Sequence, residues 1–215
     1  MDELMQILSV QSLEIDEIQI IRFEKFIDER GYFTETYRED DFYGIDELAF
    51  IRRYDFLQFN ESFSYKNTFR GFHFQWNPHM GKLVRCISGN LLDMAIDIRK
   101  DSETFGKIIA YELSGAPDLD YSEWMWIPPG FAHGMLLTKD SYVQYLCSGT
   151  YNPRCEGVIS PLAEDIDWSL CDKRIAKKIK QAFNKDVLVK ERDLQGMTLA
   201  QWKSNKASDK FLNID

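Results

Sequence analysis

Hydrophobic and polar positions alternate with period two in short runs along most of the chain, and this periodicity predicts strands. The runs fall at residues 18–23, 32–37, 51–59, 72–75, 82–87, 91–99, 107–113, 124–127, 131–137 and 142–147. Turn chemistry separates them: Asp28 to Gly31, Asn77-Pro78, Ser88-Gly89-Asn90 and Pro128-Pro129-Gly130. Strands about ten residues apart, punctuated by Gly and Pro, predict an all-β sandwich or barrel rather than alternating β and α units. The run 82–99, broken at Ser88-Gly89-Asn90, is the strongest hairpin signal. Within 91–99, Asp93, Asp97 and Arg99 share one parity against Leu92, Met94, Ile96 and Ile98.

The ends read differently. Leu4, Ile7, Leu8 and Leu13 recur at roughly helical spacing and predict a short arm or helix over residues 1–18. Residues 173–183, KRIAKKIKQAF, form a basic amphipathic helical pattern, expected to lie as a solvated or packing helix. Residues 202–215 are polar and are expected to be mobile. The reading is an arm (1–18), a β core (19–170) and a helical segment with a tail (171–215).

Composition narrows the function classes. Aromatic residues make up 14% of 215, enough for a sizeable core in one domain. The formal net charge of -9 argues against nucleic acid and anionic membrane as partners. The start MDELMQILSV lacks the basic region of a secretory signal, and no apolar run approaches membrane-spanning length, so a cytoplasmic protein is expected. Cys86, Cys147, Cys155 and Cys171 have no CxxC spacing; Cys86 and Cys147 sit in apolar runs and read as core residues.

Candidate chemistry centres on residues 67–85, NTFRGFHFQWNPHMGKLVR, which hold two of the three histidines. Period two puts His73 and Gln75 on one face and Phe72 and Phe74 on the other. From this strand alone, a ligand-lined interior and a half-buried strand with a satisfied core histidine are both open. A metal barrel would present His-x-His where this chain has His73-x-Gln75, leaving His133 as the one further imidazole for a shared metal. No GxSxG motif and no Gly-rich phosphate loop occurs. Acid–base chemistry remains: His73 as base, Lys82 to stabilise an oxyanion, and Tyr145 or Tyr151 as acid.

Several strings, in order, carry a resemblance: DERGYFTE at 28–35, Gln58-x-Asn60-x-Ser62, NTFRGFHFQ at 67–75, KLVRCISGNLLDMAIDIRKDSETFGK at 82–107, IPPGFAHGM at 127–135, YLCSGTYNP at 145–153 and IDW at 166–168. With these the chain resembles the dTDP-4-dehydrorhamnose 3,5-epimerase family over roughly residues 19–168. The resemblance implies a cupin-type jelly roll, usually dimeric with strands exchanged between subunits, and no cofactor or metal. It implies a nucleotide-diphosphate sugar as substrate and epimerisation at C3 and/or C5 of a 4-keto-6-deoxyhexose. His73 then resembles the base, Lys82 the enolate stabiliser and Tyr145 the acid of the opposite face. Asp193, in VKERD, fits the family's SxxD-like aspartate that orients the histidine, with Asp186 or Asp97 as substitutes. Arg30 and Arg70 resemble diphosphate contacts, Phe33 and Glu35 a base-binding pair, Gln58, Asn60 and Tyr151 further pocket residues, and His133 a second active-site imidazole. The stretch of about twenty helical residues between Trp168 and VKERD departs from the family pattern. Rival readings are a nucleotide-sugar-binding jelly roll without turnover, a monofunctional epimerase or ketoisomerase on another nucleotide sugar, and a metal-dependent barrel.

Overall fold

A computed structural model describes residues 6–212 and residue 214. Thirteen strands are assigned among these: β1 (Ile7–Ser12), β2 (Gln19–Glu24), β3 (Phe26–Asp28), β4 (Gly31–Phe33), β5 (Gln58–Ser64), β6 (Phe69–Gln75), β7 (Lys82–Ser88), β8 (Asn90–Asp97), β9 (Ile108–Ser114), β10 (Tyr121–Ile127), β11 (Phe131–Leu137), β12 (Ser141–Cys147) and β13 (Glu156–Val158). Helices α1 (Glu39–Gly44), α2 (Lys173–Phe183), α3 (Glu191–Leu194) and α4 (Leu199–Ser204) flank them. One sheet has the order β1-β2-β10-β7-β12-β5, the other β13-β6-β11-β8-β9, and all named pairings are antiparallel. The strand spacing predicts a sandwich or barrel, and the structure is the jelly-roll sandwich with peripheral helices that the resemblance implies.

Three apolar layers hold it together. Between the sheets lie Val84, Leu91, Ala95, Met125, Met135 and Val143. The outer face of the five-stranded sheet, with Phe72, Phe74, Leu92, Met94 and Ile96, is covered by α2, α4 and the chain end through Ile179, Trp202 and Phe211. The outer face of the six-stranded sheet packs Leu83, Trp124, Trp126 and Leu146 against Phe42, Leu48 and Ile51. Strands covered on both faces lose the polar half of their alternation, which is why β11 is buried at every position.

Several expectations change. Leu4 lies outside the described residues, and Ile7–Ser12 is an edge strand beside β2 rather than a helix. The strand expected at 51–59 begins at Gln58, because Asp46–Ile51 closes into a 3-10 turn that buries Leu48 and Ile51. The chain end is packed: Trp202 is fully buried and its Nε1 donates to the Ile98 carbonyl at 2.9 Å. Thr198 and Gln201 form a capping box at the start of α4, and the Asp165 carboxylate accepts from the Leu199 and Ala200 amides. The polar letters of 202–215 hid two large apolar anchors, Trp202 and Phe211. All four cysteines are free, with Cys155 half-buried and the others buried.

Candidate active site

The site is built on an irregularity in β6. Arg70 pairs with Met135 and His73 with His133, so β6 spends three residues where β11 spends two. The extra residue turns Arg70 to the side of His73, although period two assigns them to opposite faces. Gly71 carries the distortion at φ 126°, and a Cβ there would meet Gly134 Cα at 2.5 Å and the His133 carbonyl oxygen at 2.6 Å. Only glycine fits that approach.

The bulge also frees an amide. Gly71 N–H donates to Asp193 Oδ2 at 3.3 Å, while His73 Nε2 meets Asp193 Oδ1 at 2.8 Å. Asp193 arrives from the segment after α2. There Leu188 bonds to Asn67 and Phe69 in backbone hydrogen bonds of 2.8 Å each, extending the edge of β6 before the chain turns into α3. Burial pushes the Asp193 carboxyl up, but the His73 hydrogen bond and charge, the Gly71 amide and Arg192 outweigh it and hold it below the ordinary range. Of the other aspartates considered as partners, Asp97 binds Arg99, Ser102 and Thr104, and Asp186 is exposed. The other His73 ring nitrogen, Nδ1, has no hydrogen-bond partner among the described residues.

A second pair lies deeper. Asp93 is fully buried, and its Oδ1 stands 2.6 Å from His133 Nε2. Lys82 Nζ lies 3.4 Å from His133 Nδ1. An ammonium only donates, so Nδ1 accepts and the proton sits on Nε2, facing the carboxylate. Burial draws both His133 and the half-buried Lys82 below their ordinary pKa values. Tyr145, on β12 of the opposite sheet, is held above the usual phenol range by burial, and its hydroxyl has no hydrogen-bond partner among the described residues. His73, Lys82, His133, Tyr145, Arg70 and Asp193 line one cleft of about 470 Å³, within the range that takes a small ligand. A second hollow of about 330 Å³ shares His73, Lys82 and Tyr145 and adds Gln58, Asn60, Gln75, Tyr151 and Glu156. The Gln58 side chain donates to Asn60 at 3.1 Å and accepts the Tyr151 amide at 2.9 Å.

Three of the sequence-derived candidates do not join this cluster within the chain. Arg30 pairs with Asp28 at 2.5 Å, Phe33 stacks on Phe26 with ring centroids 6.4 Å apart, and Glu35 pairs with Arg38 at 2.7 Å. All three sit in or just after the β3–β4 hairpin, away from both hollows. Sequence reasoning missed Asp93, Lys190, Glu156 and Arg192. Asp93 had a signal: a carboxylate at an inward position of an apolar strand needs a partner. Arg192 pairs with Glu156, which also accepts from the Tyr151 hydroxyl at 2.9 Å, tying α3 to β13. Among the described residues no group of three or more His, Cys, Asp or Glu side chains is arranged to hold a metal. No helix among them is long and apolar enough to cross a membrane.

Two facing sheets that bring His–Asp pairs, a lysine and a phenol to one cleft define a jelly roll of the acid–base enzyme class. The chain belongs to the dTDP-4-dehydrorhamnose 3,5-epimerase family of isomerases, whose model matches residues 12–201. It is 40% identical over 159 residues to the dTDP-4-dehydrorhamnose 3,5-epimerase of Salmonella typhimurium, covering 72% of this chain and 82% of the relative. The crystal structure of a dTDP-6-deoxy-D-glucose-3,5-epimerase from Legionella pneumophila in complex with dTDP-4-keto-L-rhamnose superposes with a TM-score of 0.74 at 30% identity, covering 89% of this chain and 93% of that one. A 3'-monoepimerase from Streptomyces bikiniensis in complex with dTDP-quinovose superposes with a TM-score of 0.67 at 27% identity, covering 89% and 88%.

Proposed function

We propose that the protein epimerises a nucleotide-diphospho-4-keto-6-deoxyhexose, of the dTDP-4-dehydro-6-deoxy-D-glucose type, at C3 and C5. The observation that carries this reading is the placement of His73 and Tyr145 on opposing sheets that line one cleft, with Lys82 on the strand beside Tyr145. His73 Nδ1 takes the proton from the carbon next to the C4 ketone, while Asp193 holds the other nitrogen and steadies the imidazolium. The electron pair moves onto the ketone oxygen, where the Lys82 ammonium, backed by His133 and Asp93, stabilises the enolate. The Tyr145 phenol returns a proton from the opposite face, inverting the centre. Arg70 offers a guanidinium to the diphosphate, with its Nε already fixed on Ser64 Oγ at 2.8 Å. Incubation with dTDP-4-keto-6-deoxyglucose in deuterated water tests this by NMR. Deuterium at C3 and C5 is expected; deuterium at one carbon makes the enzyme a monoepimerase, and none at either, with binding intact, sinks catalysis.

The working form is proposed to be a homodimer. Phe26, Ile27, Tyr32 and Phe33 are exposed on the β3–β4 hairpin, and Phe59, Phe63, Tyr65 and Tyr142 are exposed on and beside the edge strand β5. Exposed apolar area on this scale marks a surface that is covered by a partner. A hairpin reaching across such an interface delivers Arg30, Phe33 and Glu35 to the neighbouring cleft, where the resemblance expects them.

A further inference from the structure

The rim of the cleft carries a cation that none of the roles above uses. Lys190 lines the cleft together with Thr68 and Arg70. It is exposed and has no ion pair among the described residues. The one carboxylate lining this cleft, Asp193, is engaged by His73, so Arg70, Lys82 and Lys190 leave the cavity cationic in a chain of net charge -9. A concave cationic site in an acidic protein focuses anions. Three cations over one cleft suit a group with more than one negative charge, and a diphosphate is such a group.

Lys190 is also mechanically tied to the catalytic pair. Its backbone carbonyl accepts the Asp193 amide at 2.9 Å and the Leu194 amide at 3.2 Å, opening α3. Two residues earlier Leu188 is stitched to β6. The segment therefore runs from β6 along the rim and back to His73 within six residues, with Lys190 at its turn.

We propose that Lys190 binds the substrate diphosphate, and that its hold on the anion seats the 188–194 segment so that substrate binding supports the His73–Asp193 pair. The proposal rests on the nucleotide-sugar reading and names a residue that determines affinity within it. An exposed lysine gains modestly from an anion, so the expected effect is about three- to tenfold in affinity.

The full-length protein is titrated with dTDP and with thymidine by calorimetry, alongside Lys190→Ser, Lys190→Arg and Lys178→Ser. Lys178 is a surface lysine facing Glu112 and controls for loss of bulk charge. Lys190→Ser is expected to weaken dTDP about three- to tenfold, to leave thymidine unchanged, and to be rescued by Lys190→Arg, while Lys178→Ser matches wild type. Amide exchange supplies the second readout. dTDP should slow exchange at Asp193 and Leu194 in wild type and much less in Lys190→Ser. Unchanged dTDP affinity in Lys190→Ser overturns the contact, and equal protection in both proteins overturns the coupling. If wild type binds no dTDP and promotes no deuterium exchange, the functional reading fails, and this inference with it.

Discussion

At the scale of single residues, the proposed roles separate by which proton each group handles. His73→Ala should abolish deuterium incorporation, whereas Tyr145→Phe should leave it while slowing net inversion; incorporation retained in His73→Ala would remove His73 as the base. Lys82→Ala should lower turnover by about a hundredfold or more, as loss of an oxyanion stabiliser does. The buried imidazoles set a pH limit on the fold. Burial holds His133 and His79 below the ordinary histidine pKa, so the unfolded chain takes up protons first as pH falls through about 6.5. Stability then declines on acidification. Asp193, depressed in the fold, adds a further loss once pH falls below the ordinary carboxylate range. Urea midpoints measured from pH 7.5 to 5 should fall steadily; a flat profile would mean that neither imidazole is held neutral by the fold.

At the scale of elements, the bulge in β6 explains what period two misses. Alternation correctly places Phe72 and Phe74 in the core and His73 with Gln75, but it puts Arg70 on the wrong side, because the irregularity involves the partner strand as well. Gly71→Ala should cost about 2–4 kcal/mol from backbone strain and overpacking, and should lower activity, because β11 must shift away from His73. Retained stability and activity would show that the close approach to Gly134 is relaxed in solution. The strands were legible because each is a short alternating or apolar run closed by turn residues, although their pairing order, which sets β10 beside β2 and β11 beside β6, was not. Asp193 was legible only through the resemblance, because its placement depends on Leu188 pairing with Thr68 across more than a hundred residues and on the cover that α2 and α4 provide. Trp202→Ala tests that cover. Its ring packs on Phe74 with centroids 4.6 Å apart, one residue from His73, so a loss of about 3–5 kcal/mol is expected in denaturant unfolding.

At the scale of the whole molecule, the sequence strings pointed to both sheets that line the cleft but not to which residues one chain can bring together. Arg30, Phe33 and Glu35 are local to a hairpin whose proposed destination is the cleft of a second copy, and the alternation of polar and apolar residues does not record that. Phe33→Ser should leave the melting temperature of the fold nearly unchanged, since the ring is 68% exposed, while weakening substrate binding and shifting sedimentation toward the monomer. A dimer of unchanged affinity would remove the hairpin from the neighbouring site. His73 and Tyr145, the two groups proposed to handle protons, hang from different sheets, and this has a consequence for how such an enzyme can change. The gap between them is set by the thickness of the layer between the sheets, roughly the 10 Å that packed sheets keep. Ala95, buried in that layer and absent from the cleft lining, therefore acts as a spacer in a molecular calliper. Widening it by a few methylene groups would leave every catalytic residue in place and still alter the stereochemical outcome, so fidelity of inversion is a property of the core as much as of the site.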